Sequence, residues 1–134
     1  MPLTSRQALA KLESCFAAIA ALDTDRLVAH YTDDYLLELP YFKPGEPLVA
    51  HGRDEARGFL AAILAEQRML ITIDRSFWIE DEQLMVAEYS STGEFLDNGE
   101  PYQNSYVGFW YFEGERVRRL REYYNPQAPR ASAI

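Results

Sequence analysis

The sequence predicts an α+β domain in which three helices in the first half pack against a curved, mainly antiparallel sheet. Three observations carry that expectation. Apolar residues recur at three- and four-residue spacing up to residue 66, extended runs rich in β-branched and aromatic residues follow, and most turns between those runs are of hairpin length. Helices followed by a meander give a layout with helices on one side of the sheet. A long sheet that curls around them leaves a cavity at its open end.

From Thr4 to Leu22, Leu9, Leu12, Phe16, Ile19 and Ala20 form one apolar face, and Thr4 or Ser5 is placed to cap the helix. Asp23 to Tyr31 reads as a second short helix capped by Thr24, after which Asp33 and Asp34 break the pattern. Tyr35 to Phe42 reads as a strand running into a loop bounded by Pro40 and Pro44, with Leu48 to His51 as a short return strand. Gly52 precedes a third helix, Asp54 to Glu66, which buries Phe59, Leu60, Ile63 and Leu64. The four extended runs are Met69 to Ile79, Leu84 to Phe95, Gln103 to Phe112 and Arg116 to Tyr124. Residues 80–83 and 113–115 are hairpin connections, and Leu96 to Tyr102, with Asn98-Gly99 and Pro101, is a longer one.

The 134 residues suit one domain, 1–134, since no linker-like tract divides them, and about 127–134 reads as a flexible tail. Seven Phe, nine Tyr and two Trp are enough for a dense core and an aromatic cavity wall. A net charge of −8 disfavours nucleic acid, and the cluster Arg116, Arg118, Arg119 and Arg121 points to both faces of a strand rather than forming a basic stripe. A single cysteine, Cys15, excludes an internal disulfide and reads as a buried thiol. No run has the ~20 apolar residues of a membrane span and no leader pattern opens the chain, so the expectation is a cytoplasmic protein.

Strand alternation puts Leu120, Glu122 and Tyr124 on one face of the last strand and Arg119, Arg121 and Tyr123 on the other. Glu122 therefore has apolar neighbours. On a concave face, desolvation would raise its pKa and fit it for general acid/base work, whereas at a strand edge it would simply pair with an arginine. Asn104, Tyr106, Gly108, Trp110 and Phe112 share a face of the preceding strand, where an amide, a phenol and an indole could meet a ligand and Gly108 would leave room. Trp110 and Phe112 also fit ordinary core positions. His51 and Arg53 flank Gly52, where the histidine could shuttle protons or anchor a ligand, or simply be a solvated loop residue. The candidate substrate contacts are thus Asn104, Tyr106, Trp110, Tyr124, His51 and Arg53, with Glu122 as the catalytic candidate. Asp33 and Asp34 supply too few oxygens for a metal, no zinc spacing or Gly-rich phosphate loop occurs, and neither metal nor cofactor is expected.

Gly45-Glu46-Pro47-Leu48-Val49 leading through Gly52, then Asn104-Ser105-Tyr106-Val107, and then Arg118-Arg119-Leu120-Arg121-Glu122-Tyr123-Tyr124-Asn125-Pro126 resemble the nuclear transport factor 2-like superfamily, notably its SnoaL-like branch. The nearest motifs are those of the phenazine-biosynthesis A/B proteins. The resemblance implies a cystatin-like, cone-shaped barrel, a small-molecule pocket and a homodimer formed through the outer sheet face. It also implies an acid/base role for the glutamate at 122. The histidine that the phenazine proteins carry after the helix-opening glycine is replaced here by Arg53. The aspartate base, oxyanion-binding aspartate and helix-one tyrosine of ketosteroid isomerases fall at Leu39, near Gly108 and near Cys15, so that machinery is not expected. Two functions follow as expectations. The first is a cofactor-independent isomerase, cyclase or lyase acting on a cyclic metabolite through Glu122, and the second is a non-catalytic small-molecule-binding or accessory domain.

Overall fold

The computed structural model describes residues 2–43 and 45–126. The expected tail at 127–134 lies outside the described residues. Helix α1 spans Ser5–Ala20 and starts in a capping box: the Thr4 side chain accepts from the Gln7 amide while the Gln7 side chain accepts from the Thr4 amide. Helix α2 is a short segment, Thr24–Val28, capped by Asp23 rather than by Thr24, with the Asp23 carboxylate accepting from Arg26 N at 3.0 Å. It ends earlier than the spacing suggested, because Tyr31 already belongs to strand β1, Tyr31–Lys43. Asp33 and Asp34 are therefore exposed strand residues rather than a break. Strand β2, Glu46–His51, returns antiparallel to β1, and Gly52 at a φ of 90° turns the chain into helix α3, Arg53–Glu66. That φ favours a residue without a Cβ.

Strands β3 (Gln67–Ile79), β4 (Leu84–Phe95), β5 (Pro101–Glu113) and β6 (Arg116–Tyr124) form the antiparallel meander. The last of them pairs with β1 in parallel, which joins the two halves into one six-stranded sheet of order β2-β1-β6-β5-β4-β3. The sheet is mixed, curved and unclosed, so the expected barrel is an open one, with β2 and β3 as edges. Helix α3 packs on β1 and β2 at one end of this order and leads directly into β3 at the other, so it bridges the two edges of the curved sheet. Helix α1 packs on β3 and β4.

The core lies between helices and sheet. Leu12, Cys15 and Phe16 from α1 meet Leu37, Met85, Trp110 and Leu120 from the concave side of the sheet. Burying each large apolar side chain is worth roughly 1.5–3 kcal/mol. The alternation is clean in β4, where Met85, Ala87, Tyr89 and Ser91 are buried and the residues between them are not. No helix among the described residues is long and apolar enough to cross a membrane.

Candidate active site

At the open end of the curled sheet is a cavity of about 240 Å³. This is slightly below the usual 300–1,000 Å³ range of ligand pockets, a size for a compact molecule of one or two rings. Its wall is overwhelmingly apolar and aromatic. Phe16, Phe42, Phe59 and Trp110 contribute, together with the tyrosines at 31, 35, 89, 102, 106 and 124, and among the described residues Glu122 is the one carboxylate.

Local registry explains why Glu122 reaches this space. Ala87 on β4, Gly108 on β5 and Glu122 on β6 are cross-strand partners in one row. The two small residues leave a trough in the sheet surface. The neighbouring row, with Tyr89, Tyr106 and Tyr124 side by side, leans over it. The Tyr89 hydroxyl, which would overlap any Cβ at position 108, donates to Glu122 Oε2. The Trp110 indole N–H leans toward the same hydroxyl, within 2.6 Å of where that Cβ would lie, and meets no partner in good hydrogen-bond geometry. Gly108 is thus needed for close approach rather than for a special backbone angle.

Glu122 keeps some accessible surface because it faces the cavity, but protein surrounds its carboxyl. Burial pushes its pKa up from the ordinary 4.5 to about 7, and the Tyr89 hydrogen bond, which favours the ionised form, opposes that only partly. The pKa values of Tyr31, Tyr35, Tyr89 and Tyr106 are all raised, foremost by burial, so these groups stay phenolic across the pH range of proteins. Tyr124, less enclosed, is raised to about 12 by the same cause. Tyr31 and Tyr35 stack with centroids 3.8 Å apart, and the Tyr35 hydroxyl has no partner in good geometry. The Tyr106 hydroxyl lies 2.7 Å from Ser91 Oγ, and its ring stacks on Tyr89.

Of the residues singled out from sequence, Glu122, Tyr106, Trp110 and Tyr124 meet on this wall, and Asn104, His51 and Arg53 do not. Asn104 is buried but fully used: its amide donates to Tyr102 Oη and Asn125 O at 3.0 Å each, and its oxygen accepts from Ser105 N and Asn125 N. It fastens the chain after β6 to β5 instead of offering a group to a ligand. His51 is exposed at the end of β2. Arg53 is half-buried, its guanidinium 2.8 Å from Asp33 and donating to Tyr31 O. Beginning α3 on the far side of the β2 turn carries both away from the cavity. Tyr89, Tyr31 and Tyr35 were not singled out, although alternation in β4 puts Tyr89 on the buried face. Among the described residues, no three His, Cys, Asp or Glu side chains gather as metal ligands.

Residues 12–120 match the SnoaL-like domain family. This chain belongs to that family. A curated relative, the uncharacterised protein YesE of Bacillus subtilis (strain 168), is 26% identical over 100 residues, covering 72% of this chain and 66% of the relative, so the chain spans just under two thirds of that protein's length. Among solved structures, a Bacillus subtilis protein provisionally named an isomerase superposes with a TM-score of 0.84 at 21% identity, covering 92% of this chain and 89% of that one. An LEH-like epoxide hydrolase from M. tuberculosis gives 0.74 at 16% identity, covering 92% and 86%. At these identities the two structures establish the fold shared by the SnoaL-like chain described here.

Proposed function

We propose that this SnoaL-like protein is a cofactor-independent enzyme of the isomerase, cyclase or lyase type, in which Glu122 moves a proton on a compact cyclic substrate. The observation that carries the reading is a lone carboxylate on an aromatic cavity wall, hydrogen-bonded to a phenol and raised to a pKa of about 7. A group with that pKa is divided between its two forms at neutral pH, which suits an acid/base that must take a proton and return it. As a carboxylate it accepts a proton from the substrate, and as an acid it returns that proton to a second position of the same molecule. Tyr89 holds the carboxyl in place by donating to Oε2, leaving Oε1 to act. Tyr106 and Tyr124 flank the substrate and orient it.

Two likenesses support a catalytic reading. Relatives in fold carry the names isomerase and epoxide hydrolase. The terminal stretch around Glu122 also resembles the phenazine-biosynthesis A/B proteins, whose glutamate at this place acts as acid and base. The direct test is Glu122→Gln in a turnover assay over a panel of compact cyclic compounds, carbonyl-bearing amines among them. Loss of turnover with retained binding supports the proposal, unchanged turnover of a substrate so found removes Glu122 from the chemistry, and binding without turnover by the wild type favours the non-catalytic binding domain.

A homodimer through the outer sheet face is part of the same proposal. The arginines at 118 and 119 lie over the ring of Tyr111 on that side, a surface suited to a polar-aromatic contact. Light scattering at micromolar concentration tests it, with a dimer mass expected and a monomer mass contradicting it.

A further inference from the structure

The cavity is defined as much by the charge it lacks as by the carboxylate it holds. Among the described residues on its wall none is Lys, Arg or His, so none of them sets a cation against Glu122. The titratable groups that line the cavity with it are phenols: Tyr31 and Tyr35 from β1, Tyr89 from β4, Tyr102 and Tyr106 from β5, and Tyr124 from its own strand, with the Cys15 thiol of α1 behind the first two. Helix α3 adds only Phe59, Leu60 and Ile63. The Cys15 thiol, pushed up to about 12 by burial, carries no charge either. An anionic ligand would therefore be stripped of water without a counter-charge, beside a carboxylate. A cation would gain both the carboxylate and the π faces of the surrounding rings.

We infer that the cavity recognises a compact cyclic amine, bound as its ammonium against Glu122 within the aromatic wall. This deepens the proposed function and rests on it, since it takes the same cavity as the ligand site and names the chemical class of the ligand. The ammonium supplies a positive partner for the carboxylate, so binding draws Glu122 into its ionised form. The same wall discriminates against carboxylates and phosphates.

Three probes of nearly equal size separate the possibilities: benzylamine, benzyl alcohol and benzoate, titrated calorimetrically into the wild-type protein and into Glu122→Gln between pH 5.5 and pH 8.5. The expected result is benzylamine bound at least about tenfold more tightly than benzyl alcohol at pH 8. Its affinity should rise as pH passes through 7, with benzoate weakest, and the amine preference should vanish in Glu122→Gln while benzyl alcohol still binds. Continued alcohol binding by the variant shows that its cavity is intact. Benzyl alcohol or benzoate binding as well as benzylamine, or an amine preference that survives in the variant, overturns the amine assignment and leaves the acid/base proposal standing. Failure of all three probes to bind overturns both, because the cavity itself would then not be a ligand site.

Discussion

Two glutamates on neighbouring strands meet opposite fates. Glu38 on β1 is paired in register with Arg121 of β6, and Glu122 is the next residue along that strand. Alternation sends Glu38 to the outer face, where Arg119 Nε lies at 2.6 Å and Arg121 Nη1 at 3.1 Å from its two oxygens. Glu122 points inward, where its partner is a phenol and none of the described wall residues is an arginine. A carboxylate clamped by two guanidiniums is a structural fastener between strands. One deprived of water and of counter-charge holds its proton up to neutral pH and is available for chemistry. A step of one residue along a strand is enough to separate the two environments.

The comparison breaks most visibly in kinetics. Glu122→Gln is expected to lower turnover by about 10²–10⁴-fold, the usual worth of a general acid/base, and Glu38→Gln is expected to leave turnover within a factor of a few. Steady-state assays on the same substrate decide it, and equal losses in both variants would erase the distinction.

Stability against pH is the next largest effect. Because the folded pKa of Glu122 lies above its unfolded value, the folded state binds the proton more tightly. Its contribution is full below about 4.5, falls as pH rises, and is lost above about 7. The loss amounts to at most about 3 kcal/mol at 1.36 kcal/mol per pKa unit, and water in the cavity reduces it. Urea denaturation at pH 5 and pH 8 should show this decline in the wild type, with Glu122→Gln flat by comparison.

Gly108→Ala sharpens the geometry. The added methyl would overlap the Tyr89 hydroxyl, so the phenol must withdraw from Glu122. A cost of about 1–3 kcal/mol is expected from overpacking. Since the Tyr89 hydrogen bond lowers the Glu122 pKa, its loss should move the acidic limb of the pH–rate profile upward. Tyr89→Phe should move that limb in the same direction without the packing cost. The smallest effect is expected on the outer face, where Glu38→Gln should cost about 1–2 kcal/mol in urea denaturation, because the pair is partly solvated.

Much of this was legible in the chain because the relevant physics is local. Period-2 alternation in Arg116–Tyr124 put Glu122 with Leu120 and Tyr124, and the same rule put Tyr106 and Trp110 together. What was not legible depends on registry between strands. Nothing in the spacing of Tyr89 and Glu122, 33 residues apart, says that they are diagonal neighbours across Gly108. Asn104 shows a different limit: alternation turns it inward, but the chain after β6 folds back and occupies all its hydrogen-bonding groups. His51 and Arg53 were placed by proximity to a helix start, and the direction in which that helix leaves β2 is a tertiary fact. The Asp33-Asp34 pair looked like a helix-ending turn because two adjacent polar residues resemble one. They are instead the exposed bulged segment of β1, where the register with β6 shifts.

The most direct test of the central claim is the pKa of Glu122 itself, read by carboxyl ¹³C NMR with side-chain labelling and assigned by loss of the resonance in Glu122→Gln. A midpoint near 7, well above those of the exposed glutamates, is expected from a desolvated carboxyl without a cation partner. A midpoint at the ordinary 4–5 of a solvated carboxylate would contradict it.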